Sequence, residues 1–266
     1  MFTKNEIFNQ LKAISSPRGR VVLFHSSLRS IGEVEGGGEG LLDLLIEYFT
    51  GEGGLFCVPT HTWANIGKEV PTLDMTGTES NLGAFSRIAL RDERGVRSEN
   101  PTHSMVVFGE GARDFVRGED SVVTPTSPDG CYGRLYELGG FVLLAGVSQC
   151  KNTYLHSVDE ILGTSGRMSK VPTATTVLRS TGELVARDLY MFDESRGDLS
   201  ERFSKFETAF RYHGCITDGF IGNAPTQLCS ARKMKEVIEL IYRNAGGYDP
   251  LSDEAPISPS LYCTKR

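Results

Sequence analysis

Residues 21–62 read VVLFHSSLRSIGEVEGGGEGLLDLLIEYFTGEGGLFCVPTHT, and this stretch decides the fold class. Val21 to Phe24 is a short, wholly apolar run of the kind found in strands buried on both faces, and it ends in His25-Ser26-Ser27. A glycine-rich turn from Gly36 to Gly40 follows. Leu41 to Phe49 then shows apolar residues at helical spacing, stopped by Gly51 to Gly54. Leu55 to Val58 repeats the strand pattern and delivers Pro59-Thr60-His61-Thr62. Strand, helix and strand in that order predict a parallel crossover unit. Open sheets of this kind hold ligand-binding residues just past the carboxyl ends of their strands, so HSS and PTHT are the first candidates for a site.

Outward from this unit, Ile7, Leu11 and Ile14 have helical spacing and are halted by Ser15-Ser16-Pro17. Ala84 to Arg91 reads as a helix, and Met105 to Phe108 and Phe141 to Val147 read as further buried strands. Val171 to Tyr190 alternates apolar and polar residues around turn residues at 180–182, which predicts a hairpin in a more antiparallel region. The tail, 246–266, is rich in Pro, Ser and Asp and is expected to run over the surface of a single domain spanning 1–266.

With 266 residues, 39% of them hydrophobic, the chain can bury a full core. Its formal charge of -6 opposes a general polyanion-binding role, so no nucleic-acid partner is expected. No apolar run approaches the roughly 20 residues that span a bilayer, and the opening segment carries charges among its apolar positions; no membrane partner and a cytoplasmic location are expected. The six cysteines lack CxxC spacing and read as reduced structural thiols. No histidine pair has the i, i+4 spacing of a helical zinc site, so no metal is expected.

Three segments and a set of histidines carry candidate chemistry. GEVEGGGEG can present backbone N–H groups to a phosphate, but it lacks GK[ST] and GxGxxG, and Glu33, Glu35 and Glu39 repel anions; a turn before a helix is the plainer reading. His25, His61, His103 and His156 all fall at or near expected strand ends or in the loops that follow. In NTYLHSVDE, a helix starting near Thr153 puts Asp159 on the face of His156, giving either an acid/base unit or a surface ion pair. In RSENPTHS, Arg97 has the planar fork that suits phosphate, or it solvates a loop.

Taken in order, HSSLRSIG (25–32), the glycine stretch, PTHT (59–62), RSENPTHS (97–104), SPDGCYGRLYEL (127–138), GFVLLAGV (140–147) with NTYLHSVDE, and IGNA (221–224) resemble the aminoglycoside 3-N-acetyltransferases. The likeness runs from about Val21 to the helix near Val237. It implies an α/β fold, distinct from the GNAT fold: a mixed central sheet with helices on both faces and a closely joined smaller β-rich part. It implies an enzyme that moves an acetyl or other short acyl group from acyl-CoA, by default acetyl-CoA, to an amino group of an aminoglycoside or amino sugar, as in antibiotic resistance. Carried over residue by residue, Ser26, Ser27, Leu28, Ile31 and Gly32 line the acyl-CoA site, with Arg97, Ser98 and Ser104 near it. His156 becomes the general base, oriented by Asp159 or by neighbouring Glu160. His61, Trp63 and Glu160 are candidate contacts for the amine acceptor.

Three features depart from the family pattern. Asp159 stands where the family usually has Glu, and Asn100 where it commonly has His. The loop ANIGKEVPTLDMTGTES (64–80) is shorter than in drug-modifying members and lacks their Trp and several prolines, which opens the alternative of a nucleotide-linked amino sugar from polysaccharide biosynthesis. A CoA-binding protein without turnover is a second class of reading. A hydrolase using Ser26 or Ser27 ranks last, because no GxSxG elbow is present.

Overall fold

The structure is a computed structural model and describes residues 1–77 and 79–263, with residue 196 as backbone only. Its strands are β1 (Val21–Ser26), β2 (Leu55–Pro59), β3 (Leu73–Asp74), β4 (Val96–Arg97), β5 (Met105–Phe108), β6 (Phe141–Ala145), β7 (Thr173–Leu178), β8 (Leu184–Leu189), β9 (Ile216–Ile221) and β10 (Ala224–Ser230). Its α-helices are α1 (Lys4–Ala13), α2 (Leu28–Ile31), α3 (Gly37–Thr50), α4 (Ala84–Arg91), α5 (Ala112–Phe115), α6 (Cys131–Glu137), α7 (Tyr154–Ile161), α8 (Glu207–Tyr212) and α9 (Ala231–Asn244).

A seven-stranded sheet has the order β4-β5-β2-β1-β6-β10-β9. Its middle is parallel, with β1 between β2 and β6, and antiparallel pairs β2–β5, β5–β4, β6–β10 and β10–β9 extend both sides. One face is covered by a core that joins α1, α3 and α4 to residues such as Phe24, Phe56 and Phe108; α6, α7, α8 and α9 build the core on the other. A three-stranded sheet, β3-β7-β8, is the smaller β-rich part, and its β7–β8 pair is the hairpin expected from the alternation in 171–190.

Local sequence explains the elements that set up the site. β1 and β2 are buried along almost their whole length, as central strands covered by helices must be. Helix α9 places Met234, Val237, Ile238 and Ile241 on one buried stripe, and the Ser230 side chain caps its start.

The glycine stretch corrects the boundary of α3: the helix starts at Gly37, inside the glycines. Gly36 and Gly37 take positive φ, and a Cβ on Gly40 would lie 2.1 Å from the Glu35 carbonyl oxygen. A Cβ on Gly38 would lie 2.3 Å from Ile88 of α4. These glycines serve close packing rather than a free turn. The tail is a second correction, since Leu251, Ile257 and Tyr262 are buried in the core, while residues 246–248, 252–256 and 258–260 run over the surface. No helix among the described residues is long and apolar enough to cross a membrane.

Candidate active site

The carboxyl ends of the parallel strands β1, β2 and β6 meet at β1, where β2 lies on one side and β6, reached later in the chain, on the other, a switch point that opens a crevice. A cavity of about 790 Å³ lies there, with Ser26 from β1, Pro59 from β2 and Val147 just past β6 in its wall. It brings together His25, Ser26, His61, Trp63, His103 and His156, residues up to 131 positions apart in the chain (156 − 25). The opposite wall is a strap, residues 191–200, which includes Phe192, Asp193, Glu194 and Asp198. The strap is tied down by backbone hydrogen bonds from Ser169 to Met191 and from Asp193 to Arg167.

His156 sits in the first turn of α7, with its ring stacked on Phe192 at 3.9 Å and edge-on to Phe203 at 4.7 Å. Burial pushes its pKa down to about 4; Asp198 acts in the opposite sense and Arg167 with the burial. The imidazole is therefore neutral at neutral pH and has a lone pair to offer. The other three cavity histidines are also held neutral by burial: His25 and His103 at about 3, and His61 well below its ordinary value. His61 and His103 lie with ring centroids 4.3 Å apart, His61 Nε2 is 2.8 Å from the Tyr132 hydroxyl, and His103 Nδ1 is 3.0 Å from the Thr102 hydroxyl.

Asn100, at the position that departs from the family, is a buried turn-former. Its amide donates to Glu119 and to the Pro125 carbonyl, and its oxygen accepts from the backbone of Thr102 and His103. It thus fixes the loop that carries His103 to the cavity.

Several expected contacts are not formed. Asp159 is turned away from His156 into the protein, where its carboxylate accepts from Arg167 Nε at 2.7 Å and from the Tyr242 hydroxyl at 2.8 Å. Residues three apart on a helix differ by about 60° around the axis, enough to send one side chain to the cavity and the other between α7 and α9. Burial opposes charge on Arg167, but Asp249, Asp159 and Tyr242 outweigh it and raise its pKa further. Glu160 accepts from the hydroxyls of Thr124 and Thr126 rather than from His156, and it is not part of the cavity wall.

The expected acyl-CoA contacts divide in the same way. Ser26 lines the cavity, whereas the Ser27 hydroxyl caps α2 by accepting from the Ser30 backbone. Ile31 is fully buried in the core, and Leu28 packs with it. Gly32 has φ +84° with the Asn223 amide close against it. Ser98 and Ser104 are completely buried: the Ser98 hydroxyl accepts from Met105, and Ser104 bonds Thr60. Arg97 donates to Ser104 and to the carbonyls of Asp74 and Thr60. Together they brace the ends of β2 and β5 behind the cavity.

Two of the three acidic residues of the 64–80 loop are likewise engaged, and the third, Glu69, is exposed and does not line the cavity. Asp74 accepts from Thr76 and Gly77, and Glu79 pairs with Arg91. The carboxylates that face the cavity come instead from the strap, a segment with no motif to mark it in the sequence.

A family model described as aminoglycoside 3-N-acetyltransferase matches residues 23–242. Aminoglycoside N(3)-acetyltransferase IV from Salmonella sp is 29% identical over 233 residues, 86% of this chain and 83% of that protein. The fold is similar to that of a histidine-to-alanine variant of aminoglycoside acetyltransferase AAC(3)-IVa in complex with a gentamicin. That likeness has a TM-score of 0.78 at 25% identity over 94% of this chain and 92% of that one. It is also similar in fold to AAC-IIIb in its binary complex with CoASH, with a TM-score of 0.77 at 20% identity over 91% and 97% of the two chains.

Proposed function

The chain belongs to the aminoglycoside 3-N-acetyltransferase family, and on that premise we propose that it moves an acetyl group from acetyl-CoA directly to an amino group of an aminoglycoside, with His156 as general base. The observation that carries the base assignment is a neutral imidazole on the wall of the crevice at the strand ends, held flat against Phe192.

His156 takes a proton from the acceptor nitrogen as that nitrogen bonds to the thioester carbonyl carbon. The C–S bond then breaks, and His156 returns the proton to the departing sulfur, giving the amide and CoA thiol. Ser26, at the end of β1, is the candidate donor to the developing oxyanion. No protein nucleophile is needed. Burial raises the pKa of Cys57 and Cys229, which suits inert structural thiols, and among the described residues no cysteine is disulfide-bonded.

Two features support the acceptor and the donor. A cavity of about 790 Å³ is in the range that holds a drug-sized ligand, and the strap supplies carboxylates for a polycationic acceptor. The relative with bound gentamicin and the one with bound CoASH share this fold. The test is mass-spectrometric detection of acetylated product from acetyl-CoA and a panel of aminoglycosides and nucleotide-linked amino sugars. Acetylated aminoglycoside is expected; acetylation confined to the nucleotide-linked amino sugars would replace the acceptor class.

A further inference from the structure

With Asp159 committed to Arg167 and Tyr242, and Glu160 to two threonines, no carboxylate on α7 supports His156. The ring is gripped instead by the strap and the helical segment that follows it: Phe192 stacks on one face, and Phe203 meets it edge-on. Asp198 lies between these two residues in the chain and lines the same cavity as His156. Its Oδ1 accepts from the Ser200 backbone N–H at 2.8 Å, capping the 3₁₀ segment Leu199–Phe206 and holding the carboxylate in place. Among the described residues it forms no ion pair.

We propose that Asp198 is the positioning residue for His156, the carboxylate that steadies the imidazolium formed when His156 takes the acceptor's proton. The role that helix spacing alone assigns to Asp159 passes to a residue 39 positions further on (198 − 159). This rests on His156 being the base. The charges around the ring fit it. Burial and Arg167 disfavour the imidazolium, and Asp198 favours it. His61 and His103, in the same cavity, are held neutral by burial and add no charge of either sign. Asp193, Glu194 and Lys151 also border the cavity, so the test must separate a charge acting through His156 from one acting on the acceptor.

The experiment compares wild type, Asp198→Asn, Asp198→Glu and His156→Ala, with acetyl-CoA and gentamicin, across pH. Asparagine caps a helix as well as aspartate does, so Asp198→Asn is expected to melt like wild type. The expected result is a fall in kcat of about tenfold with the KM for gentamicin little changed. The acid limb of kcat/KM should move about one unit to lower pH, as loss of a nearby opposite charge requires. Asp198→Glu should restore most of both. A raised KM with kcat retained would make Asp198 an acceptor contact and overturn the proposal, as would an unmoved acid limb. Wild-type turnover in His156→Ala would remove the base assignment itself; its loss there, with no effect in Asp198→Asn, would remove Asp198 alone.

Discussion

His156 is held by an aromatic shelf, because no carboxylate of its own helix accepts a hydrogen bond from its ring. An imidazole that is free to swing loses the aligned approach on which proton transfer depends. Phe192→Ala is therefore predicted to lower kcat about tenfold while leaving CoA binding intact, measurable by steady-state kinetics beside calorimetric titration with CoA. Equal kcat in the variant would show that the stacking is incidental. The histidines were legible in the sequence because three fell beside strand ends, where an open sheet gathers its ligands, and His156 fell in the helix entered from the loop after β6. The failure of Asp159 was not, since spacing on a helix says which residues share a side but not what stands opposite them. Arg167 and Asp249, eight and 90 positions on (167 − 159 and 249 − 159), decide its direction.

At the scale of elements, that buried network joins α7, the loop after it, α9 and the tail: Arg167 bonds Asp159, Asp249 and Tyr242 at once. Removing the cation would take from Asp159 and Asp249 the positive charge they share. Arg167→Ala should cost roughly 3–5 kcal/mol in urea unfolding, with part of that recovered when Asp159→Asn is added. Independent, additive losses would argue against a shared network. Helix α3 makes a different prediction. A methyl at residue 40 meets a backbone oxygen, so Gly40→Ala should destabilise by about 1–3 kcal/mol, although alanine favours helices elsewhere. The unit β1–α3–β2 was readable from periodicity, as was the β7–β8 hairpin. The two-residue β3 was not, since its pairing with β7 is a contact across about a hundred residues and leaves no local pattern. The strap lacks periodicity altogether, and its role follows only from where the fold lays it.

For the molecule as a whole, the site is a group of buried neutral histidines, and this has a cost in acid. His25 and His103 hold folded-state pKa values of about 3, below the ordinary 6.5. As pH falls, the unfolded chain takes up these protons first, so the stability present above 6.5 is lost progressively down to about 3. At pH 5 each contributes a loss of roughly 2 kcal/mol. Urea midpoints should therefore drop between pH 7.5 and 5, and less steeply in His25→Gln. An identical slope in wild type and variant would mean that His25 is not the group responsible.

The proposed reaction rests on one side chain, and the most direct measurement is the rate of aminoglycoside acetylation from acetyl-CoA by His156→Ala beside wild type, read by mass with CoA binding measured in parallel. A loss of about 10²- to 10⁴-fold with CoA binding retained is the predicted result. Acetylation by the variant at the wild-type rate would contradict the account.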